Sequence, residues 1–571
     1  MISTAIKNGR IYFIGGGQEM IEFAAHIHRN MREDDIRQDR DGVSIPQSAV
    51  SVVAEVAEKF NVDLSAFAET IHEFRLHEEA RREAMQIVDK KDVSGVPKRW
   101  AFLEHHQKIA VNAMTQKNLL GACLFDEQGT GKTLTALAAF DILKSAGDID
   151  FMMVIAPQSA INAWRDDVAK IPSSPPFTIS AVIGSRKEKN SVLYARADIY
   201  ALSYETLVST LVLTKAAAKR GKCLLVVDEA FKIKNPDTAR SKSIMILRSV
   251  CARAFVLSGT PSPRTPEDII HQSDIADKGF AFQGYRFADD RLQDAEAVHN
   301  VLITRSAYLR RTKNDVLPML PPKDLRVVRI TLSGRQRELY DNVRNNLALD
   351  LRDINNNMYR QNFDRYFSKR AKLLQLCCCP SMVNEMFQTD HAKIKKLDEL
   401  VEEIVVQKKL KLVIWTVYTR SVEEITRRYE RHGMVVIHGE TPEEKRRTAI
   451  RQFQTDSSIK IFLGNPAAAG AGITLHAAAD IVYVSYTDQA ADFTQSIDRT
   501  HRIGQTSDSV RYYFLVCENT IEVNQIRLLC DKVLRQHSIF GEAAEWPTVE
   551  EALDELEPAE KVSEESELND E

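Results

Sequence analysis

The 571-residue chain lacks the sequence features that mark membrane proteins, secreted proteins and metal-cage proteins. It contains no run of about 18 apolar residues, which a membrane-spanning helix would need. Its first residues, MISTAIKNGRIYF, show no charged segment followed by a long apolar stretch, so no secretion signal is expected. The eight cysteines include no CxxC pair, and the adjacent Cys377, Cys378 and Cys379 cannot easily surround a metal ion. We therefore expect a reduced, intracellular protein with buried thiols and no membrane partner.

The chain also lacks a strong excess of positive charge, because its net charge is −4. The distribution is uneven, since Glu542 to Glu571 holds thirteen acidic residues and one lysine. The tail therefore carries −12 and the remaining chain +8. A mildly basic body is compatible with binding to DNA phosphates, and a solubilising tail on a protein without a polyanion partner is the alternative. Charge alone does not decide between them.

The length predicts three or four domains of roughly 150 residues each. In residues 1–95, Ile11–Ile14 reads as a strand, and 47–60 and 64–88 carry apolar residues at helical spacing. This indicates a small, mainly helical N-terminal domain of unknown role. Three glycines follow the strand, but Met20 breaks a GxGxxG pattern, so a turn is favoured over a dinucleotide site.

Short apolar runs alternate with helical stretches in residues 96–264 and again in 396–541, which predicts two parallel α/β units. Residues 265–395 read as a helical segment between them, and 542–571 as an acidic, disordered tail. The predicted strands are Cys123–Phe125, Phe151–Ala156, Ile199–Leu202, Leu224–Val227, Ala254–Leu257, Leu412–Thr416, Val435–Ile437, Ile461–Leu463, Ile481–Val484 and Tyr512–Val516.

The segment CLFDEQGTGKTLTALAAF places GTGKT between a predicted strand and a predicted helix, as a phosphate-binding loop requires. Gly129 and Gly131 allow backbone N–H groups to turn toward phosphate oxygens. Lys132 can reach the β- and γ-phosphates of ATP, and the Thr133 hydroxyl can bind Mg²⁺. Asp126 stands where the strict GxxxxGKT pattern has its first glycine, so a chance GKT remains the alternative.

The run LLVVDEAFKIKN ends in Asp228 and Glu229, at the end of a strand where α/β sheets hold ligands. Asp228 would hold Mg²⁺ and Glu229 would polarise the attacking water. In QSIDRTHRIGQ, Arg499 and Arg502 are three residues apart and would share one helix face. A guanidinium there would stabilise the charge on the γ-phosphate. A surface acidic pair and a solvated arginine face are the alternatives.

The series of motifs resembles the Swi/Snf family of DNA-dependent ATPases, within helicase superfamily two, over about residues 98–540. Segments resembling its nucleotide motifs, its signature between the lobes and its fourth to sixth motifs occur in the family order. They are LEHHQKIAVNAM, DEQGTGKT, VVDEAFKIKNPDT, LSGTP, YLRRTKNDVLPMLPPK, LLQLCCCPSMV, KLVIWTVYTRSVEEI, GNPAAAGAGITLHAA and QSIDRTHRIGQ. Two departures are His106, where the family has tyrosine, and Phe231, where it has the histidine that couples ATP state to the lobes.

The resemblance implies an α/β fold of two RecA-like parallel-sheet lobes that close on ATP and grip DNA backbone alternately. It implies ATP and Mg²⁺ as cofactors, with ATP contacts from Gln107, Gly129, Thr130, Gly131, Lys132, Thr133 and Gln495. Exposed hydroxyls and N–H groups suit phosphate contacts, which position DNA without reading its sequence. The implied DNA contacts are Gln158, Ser203, Tyr204, Ser258, Thr260, Trp415, Tyr418, Ala471 and Gly472. For Trp415 a place in the core is an equal alternative.

We therefore predict an ATP-dependent double-stranded DNA translocase that remodels DNA or protein–DNA complexes. A strand-separating DNA or RNA helicase is the alternative, and a non-enzymatic scaffold is disfavoured because the motif residues are intact. The short segment between the lobes favours a bacterial, archaeal or viral protein of DNA repair, replication or defence over a nucleosome remodeller. Such a protein would be cytoplasmic, or nuclear in a eukaryote. A protein partner would bind through the N-terminal domain or the tail.

Overall fold

The computed structural model describes most of the chain and divides it into two compact units. The described residues are 2–7, 10–31, 36–39, 42–46, 49–169, 171–172, 177–262, 265–283, 291–332, 334–352, 359–387, 390–467, 473–502, 504–540, 542, 549 and 552–553. The first unit comprises Met1–Val316 and Ser538–Glu542. The second comprises Leu317–His537 and Ala543–Glu571.

The first unit begins with a four-stranded antiparallel sheet in the order β1-β2-β4-β3, covered by helices. Its core contains Ile11 and Phe13 of β2 and Val43 and Ile45 of β4, which alternate with residues of the opposite face. The prediction of a mainly helical region with a strand at Ile11–Ile14 missed the three other strands. The elements are β1 (Ser3–Lys7), β2 (Arg10–Ile14), α1 (Gln18–Asn30), β3 (Arg37–Asp39), β4 (Gly42–Pro46), α2 (Val50–Lys59) and α3 (Ala68–Lys90).

The rest of the first unit is built on a seven-stranded sheet, whose pairs are all parallel. The strand order is β11-β5-β10-β9-β6-β8-β7. The elements are α4 (His105–Met114), β5 (Gly121–Leu124), α5 (Lys132–Ser145), β6 (Phe151–Ala156), α6 (Gln158–Ala169), β7 (Ile179–Ala181), α7 (Arg186–Tyr194), β8 (Ile199–Ser203), α8 (Tyr204–Ala218), β9 (Cys223–Asp228), α9 (Ala239–Arg248), β10 (Arg253–Leu257), α10 (Glu267–Asp277), α11 (Arg291–Arg305), β11 (Tyr308–Leu309) and α12 (Lys313–Val316).

Helix α3 fixes the N-terminal region to this sheet. The buried His77 accepts a hydrogen bond at Nδ1 from the Leu120 backbone N–H, 3.1 Å away. The rings of Phe74 and Phe280 stack with centroids 5.3 Å apart. Leu120 and Phe280 belong to the same apolar core as the antiparallel sheet. The core of the N-terminal region therefore extends to Leu120, directly before β5, and to Phe280, which follows α10.

The second unit holds a six-stranded parallel sheet in the order β12-β17-β16-β13-β15-β14. Its elements are β12 (Lys323–Ile330), α13 (Gly334–Arg352), α14 (Tyr359–Cys378), α15 (Ala392–Val401), β13 (Leu412–Trp415), α16 (Thr419–Tyr429), β14 (Met434–Ile437), α17 (Glu443–Thr455), β15 (Ile461–Gly464), β16 (Asp480–Tyr483), α18 (Ala490–Ile497), β17 (Val510–Cys517) and α19 (Ile521–Ile539).

The two parallel sheets confirm the predicted α/β fold class, and each of the ten predicted parallel strands is present within one or two residues of its expected bounds. The segment predicted as helical, 265–395, contains two strands as well. β11 pairs with β5 of the first sheet, and β12 extends the edge of the second sheet along β17. Edge strands with mixed polar patterns, such as KDLRVVRI, do not show the apolar run on which the prediction relied.

The acidic tail is not wholly separate from the folded units. Glu542 lies in the first unit with its side chain almost buried, and Val549 and Leu553 pack in the core of the second unit. The prediction of disorder is therefore wrong at these three positions. The remaining positions from 543 onward, apart from Ala552, lie outside the described residues.

All eight cysteines fall within the described ranges, and all are free and buried, as expected. No helix within the described ranges combines the length and the apolar character that crossing a bilayer requires.

Candidate active site

The phosphate loop connects β5 to α5, and its backbone depends on glycine. Gly129 and Gly131 have φ angles of 86° and 85°, in the left-handed region that side chains disfavour. At Gly131 there is also no room, because a Cβ atom would lie 2.1 Å from Nε2 of Gln107. The loop therefore presents its backbone closely, at the start of a 14-residue helix whose N-terminus favours phosphate.

Helix α4 fixes the loop from one side. The Gln107 side chain donates from Nε2 to the carbonyls of Thr130 and Gly131, at 3.3 and 3.1 Å. His106 Nε2 lies 2.9 Å from the same Thr130 carbonyl, so it must be the protonated nitrogen. Burial lowers the pKa of His106, which favours this neutral form. The ATP contact expected from Gln107 stays a prediction, and the structure adds a second role for this side chain, which is to hold the loop carbonyls.

Lys132 begins α5 and turns its ammonium group into the loop. Nζ donates to the carbonyls of Asp126 and Glu127 at 2.7 and 3.0 Å. Burial lowers the pKa of Lys132, while the nearby carboxylates of Glu229, Asp126 and Asp228 oppose that shift. The ammonium group is thus held where a phosphate oxygen could replace the loop carbonyls.

The two predicted carboxylates lie together at the end of β9. Asp228 Oδ2 accepts a hydrogen bond from Trp164 Nε1 at 2.8 Å, and Oδ1 accepts one from the Glu229 N–H at 2.9 Å. Burial and the charge of Glu229 raise the pKa of Asp228 to about 7. Glu229 has a left-handed φ of 52°, and both its carboxylate oxygens lie 3.1 Å from Gln128 Nε2.

This arrangement fits ATP with Mg²⁺. Two adjacent carboxylates repel each other, and a cation beside Asp228 would relieve that repulsion. Asp228 and the Thr133 hydroxyl offer the oxygen ligands that Mg²⁺ prefers. When bound, Mg²⁺ neutralises charge that develops on the transferred phosphate. Lys132, Glu229 and the loop N–H groups would bind the phosphates and orient water around it.

Four contacts of this site were not predicted. Asp126 and Arg311 form a two-point ion pair through Nε–Oδ1 and Nη2–Oδ2, and Arg311 also donates to the His106 carbonyl. Trp164 holds Asp228, and Gln128 holds Glu229. Two sequence features pointed to the first pair: the aspartate where the strict phosphate-loop pattern has a glycine, and the two adjacent arginines in YLRRTKNDV. However, Asp126 and Arg311 are 185 positions apart, and nothing in the local sequence shows that they are in contact.

The predicted arginines belong to the second unit. Arg499 is buried, and its Nη2 lies 3.2 Å from Gln495 Oε1. Arg502 is half-buried and donates to the Asp498 carbonyl and to Thr474 Oγ1 at 2.8 and 3.1 Å. Helix α18 ends at Ile497, so both arginines follow the helix and do not share a helix face. The side chains of Gln495 and Arg499 are therefore in contact with each other. Their role in ATP binding and hydrolysis stays a prediction.

Most of the predicted DNA-contacting side chains are buried, which corrects the expectation of exposed hydroxyls. Ser203 Oγ accepts from the Thr206 N–H and caps α8, and the Tyr204 hydroxyl donates to the Asp228 carbonyl at 2.7 Å. Ser258 and Thr260 are fully buried. Trp415 is fully buried against Phe462, which favours the core alternative for its indole.

The remaining DNA-contact predictions fall in three places. Gln158 is exposed at the start of α6 and Tyr418 is half-buried before α16. Ala471 and Gly472 lie outside the described residues.

A cavity of about 1120 Å³ lies in the second unit, where β14 and β15 end and α16 begins. Its polar lining carries both signs of charge and comprises Thr419, Glu423, Thr426, Arg427, His438, Glu440 and Asn465. The carboxyl ends of parallel strands are where such sheets bind ligands, so this cavity is a candidate contact surface that the sequence prediction missed.

Comparison with known proteins identifies two domains in this chain and several relatives. Residues 105–382 match the SNF2-related domain, and residues 392–504 match the helicase conserved C-terminal domain. An uncharacterized ATP-dependent helicase of Mycoplasma genitalium is 26% identical over 431 residues, which are 74% of this chain and 40% of that protein. The human SWI/SNF-related matrix-associated actin-dependent regulator of chromatin subfamily A member 1 is 28% identical over 501 residues, 80% of this chain and 46% of that protein.

The chain thus spans less than half the length of these relatives. A solved structure of the Sulfolobus solfataricus SWI2/SNF2 ATPase core in complex with dsDNA is 23% identical and covers 80% of this chain and 96% of its own. Its TM-score is 0.34, which does not establish a common arrangement. The two matched domains lie in one chain, in order, and carry the phosphate loop and the paired carboxylates, so the protein belongs to the Swi/Snf family of helicase-like ATPases.

Proposed function

We propose that this protein is an ATP-dependent translocase on double-stranded DNA that remodels DNA or protein–DNA complexes. The observation that carries the proposal is the site in the first unit. There an adjacent pair of carboxylates, half-buried Asp228 and buried Glu229, acts electrostatically on the half-buried Lys132 at a glycine-dependent phosphate loop. This combination suits phosphoryl transfer, in which positioning and charge stabilisation do most of the work.

In this proposal each side chain has a separate task. Lys132 and the loop N–H groups bind the β- and γ-phosphates, and Thr133 and Asp228 hold Mg²⁺. Glu229, fixed by two contacts from the Gln128 amide, orients the attacking water. Arg499 and Arg502 stabilise the charge that develops on the γ-phosphate.

Duplex DNA is the proposed partner. The segments YLRRTKNDVLPMLPPK and HRIGQ resemble those of translocases, and the chain without its tail carries a net charge of +8. The cavity beside α16 is lined by Arg427 and His438 but also by the carboxylates of Glu423 and Glu440, so it adds no argument for a phosphate contact. We further propose that the protein acts where DNA is held, in the cytoplasm of a bacterium or archaeon or the nucleus of a eukaryote. A protein partner would bind through the N-terminal domain or the tail.

A strand-separating helicase is the second candidate, because the Mycoplasma relative is named an ATP-dependent helicase. The deciding experiment compares ATPase rates with duplex DNA, single-stranded DNA and RNA of equal length, alongside a strand-displacement assay. We expect the strongest stimulation by duplex DNA of any sequence, a steep loss with added salt, and no strand separation. Stronger stimulation by RNA or single strands, or displacement of a strand, would favour the helicase.

A further inference from the structure

Arg310 makes a buried ion pair with a residue from the far end of the chain. Its Nε and Nη2 donate to Oε1 and Oε2 of Glu542 at 2.5 and 2.9 Å. The two side chains are only 5% and 10% exposed, although 232 residues separate them. The ring of Phe540 covers the guanidinium, with its centroid 5.0 Å from the carbon of that group. Glu542 and Phe540, which both follow α19, thus contact the same arginine.

The same arginine holds two loops of the proposed ATP site. Its Nη1 donates to the carbonyl of Phe125 at 2.7 Å and to the carbonyl of Gly259 at 3.2 Å. Phe125 directly precedes the phosphate loop, and Phe540 packs against its ring at 6.2 Å. Arg310 therefore joins the start of the phosphate loop to the loop after β10.

The loop after β10 is also connected, through Gln128, to Glu229, the carboxylate proposed to orient water. Gly259 lies so close to Gln128 that a Cβ atom there would be 2.6 Å from its side chain. The Gln128 amide in turn donates to both oxygens of Glu229. A continuous set of contacts thus runs from Glu542 through Arg310 and Gly259 to Gln128 and Glu229.

Burial makes this arrangement dependent on Glu542. A guanidinium taken out of water needs a nearby opposite charge, and removing that charge leaves it unsatisfied. Two backbone carbonyls can accept hydrogen bonds from Arg310 but cannot neutralise it. Without Glu542, the guanidinium would move toward water, or toward the carboxylates of Asp126 and Glu127, whose charges already act on it. Either movement pulls on the phosphate loop.

We propose that Glu542 is a positioning residue for ATP turnover, which acts through Arg310 to hold the phosphate loop and the Gly259 loop in place. This inference rests on the proposed ATPase function. It assigns a role in the nucleotide site to the segment that follows α19, outside both matched family domains. Arg310 is the hub of the contact, and Phe540 excludes water from it.

The test compares Glu542→Gln, which removes the charge and keeps the shape, with Glu79→Gln as the matched control. Glu79 is an exposed glutamate of the same unit, on α3. Amide hydrogen exchange of residues 126–131 is measured in the full chain without nucleotide, and KM and kcat for ATP are measured with saturating duplex DNA. We expect loop exchange and KM to rise by roughly tenfold in Glu542→Gln, with a smaller change in kcat. Glu542→Asp should show smaller increases in loop exchange and KM than Glu542→Gln, and Glu79→Gln should change neither quantity.

Unchanged loop exchange and unchanged KM in a folded Glu542→Gln variant would overturn the proposal. So would a lowered unfolding temperature with no change in either, because that pattern indicates a purely structural ion pair. The exchange measurement needs no ATPase activity. A wild-type protein without DNA-stimulated turnover would therefore refute the proposed function while leaving the exchange comparison decisive for Glu542.

Discussion

The Trp164 indole N–H donates to one oxygen of the Asp228 carboxylate, 2.8 Å away, while the Glu229 N–H binds the other. Trp164 is buried in α6, so its ring is fixed by packing and can hold the carboxylate in one orientation. This hydrogen bond also opposes the rise in the pKa of Asp228 that burial and Glu229 cause. The indole therefore favours the ionised form that a metal ion needs.

Trp164→Phe should lower kcat about tenfold and raise the Mg²⁺ concentration that half-saturates the ATPase, because a charge-assisted hydrogen bond of a few kcal/mol is lost. The matched control is Trp100→Phe. Trp100 is also buried, and its Nε1 donates at 2.6 Å to Asp141, which also pairs with Arg99. The control should lower the unfolding temperature and leave the Mg²⁺ dependence unchanged. Equal Mg²⁺ curves for both variants and wild type would remove Trp164 from the site.

Lys132→Ala and Glu229→Gln should separate ATP binding from hydrolysis. Removing the ammonium group takes away the partner of the β- and γ-phosphates, so ATP affinity and turnover should both fall, turnover by at least about 100-fold. Glu229→Gln keeps the volume of the side chain and loses the base, so the variant should bind ATP and hydrolyse it poorly. Binding is measured with a fluorescent ATP analogue and turnover by phosphate release. Turnover near wild type in Glu229→Gln would show that another group orients the water.

Arg499→Ala and Arg502→Ala should both reduce DNA-stimulated ATPase, by about 10²–10³-fold if each stabilises the transition state. Their burial differs, which allows the chemical effect to be separated from a folding effect. Arg499 is buried and should cost stability when truncated, whereas half-buried Arg502 should not. Thermal unfolding and ATP binding are therefore measured beside turnover. An Arg502→Ala variant with normal stimulated turnover would exclude it from the active site.

Acid should weaken the attachment of α3 to the first sheet through His77. Burial lowers the pKa of His77 to about 3, below its ordinary value of 6.5, so the folded protein holds it neutral. The unfolded chain takes up the proton first, and stability that is complete above pH 6.5 is lost as pH falls toward 3, by up to about 1.4 kcal/mol per pH unit. His77→Asn keeps an acceptor for the Leu120 N–H but does not titrate. The free energy of unfolding in urea should fall more between pH 7 and pH 5 for wild type than for this variant, and parallel curves would contradict the assignment.

The acidic tail should compete with DNA for the basic surface, as a tethered polyanion at high effective concentration. The truncation is best made after Leu553, because Glu542, Val549 and Leu553 are part of the folded units. It removes nine acidic residues and one lysine. Duplex affinity, measured by fluorescence anisotropy, should rise at low salt, and the gain should shrink as screening increases. A full-length chain with those nine residues neutralised should behave in the same way. Equal affinity for all three proteins at low salt would leave the tail a solubilising role.

The sequence predicted the parts of the fold that arise from local patterns. Central strands such as β9, CLLVVD, are continuous apolar runs because helices cover both faces of a parallel sheet. The glycines and Lys132 were recognisable because the loop chemistry depends on residues adjacent in sequence. Edge strands β11 and β12 were missed, since their pairing partners, rather than their own composition, determine their conformation.

The predictions that were wrong concerned features set by burial and by contacts between residues far apart in sequence. Ser203 and Tyr204 were expected at a surface, but they cap a helix and support the Asp228 backbone. The pairs Asp126–Arg311 and Arg310–Glu542 join residues 185 and 232 positions apart. A charged residue reads as a surface residue until the structure shows the partner that makes its burial tolerable.

The burial of all eight thiols has a practical consequence for labelling this protein with dyes. A maleimide dye reacts with accessible thiolates, and burial both hides these sulfurs and keeps several of them protonated, as at Cys123, where burial raises the pKa of the thiol. Cysteines introduced at Tyr194 of the first unit and Met319 of the second, which are 70% and 75% exposed, would therefore be labelled against a silent background. Energy transfer between the two dyes could then follow each turnover in the native chain, without removing a natural cysteine.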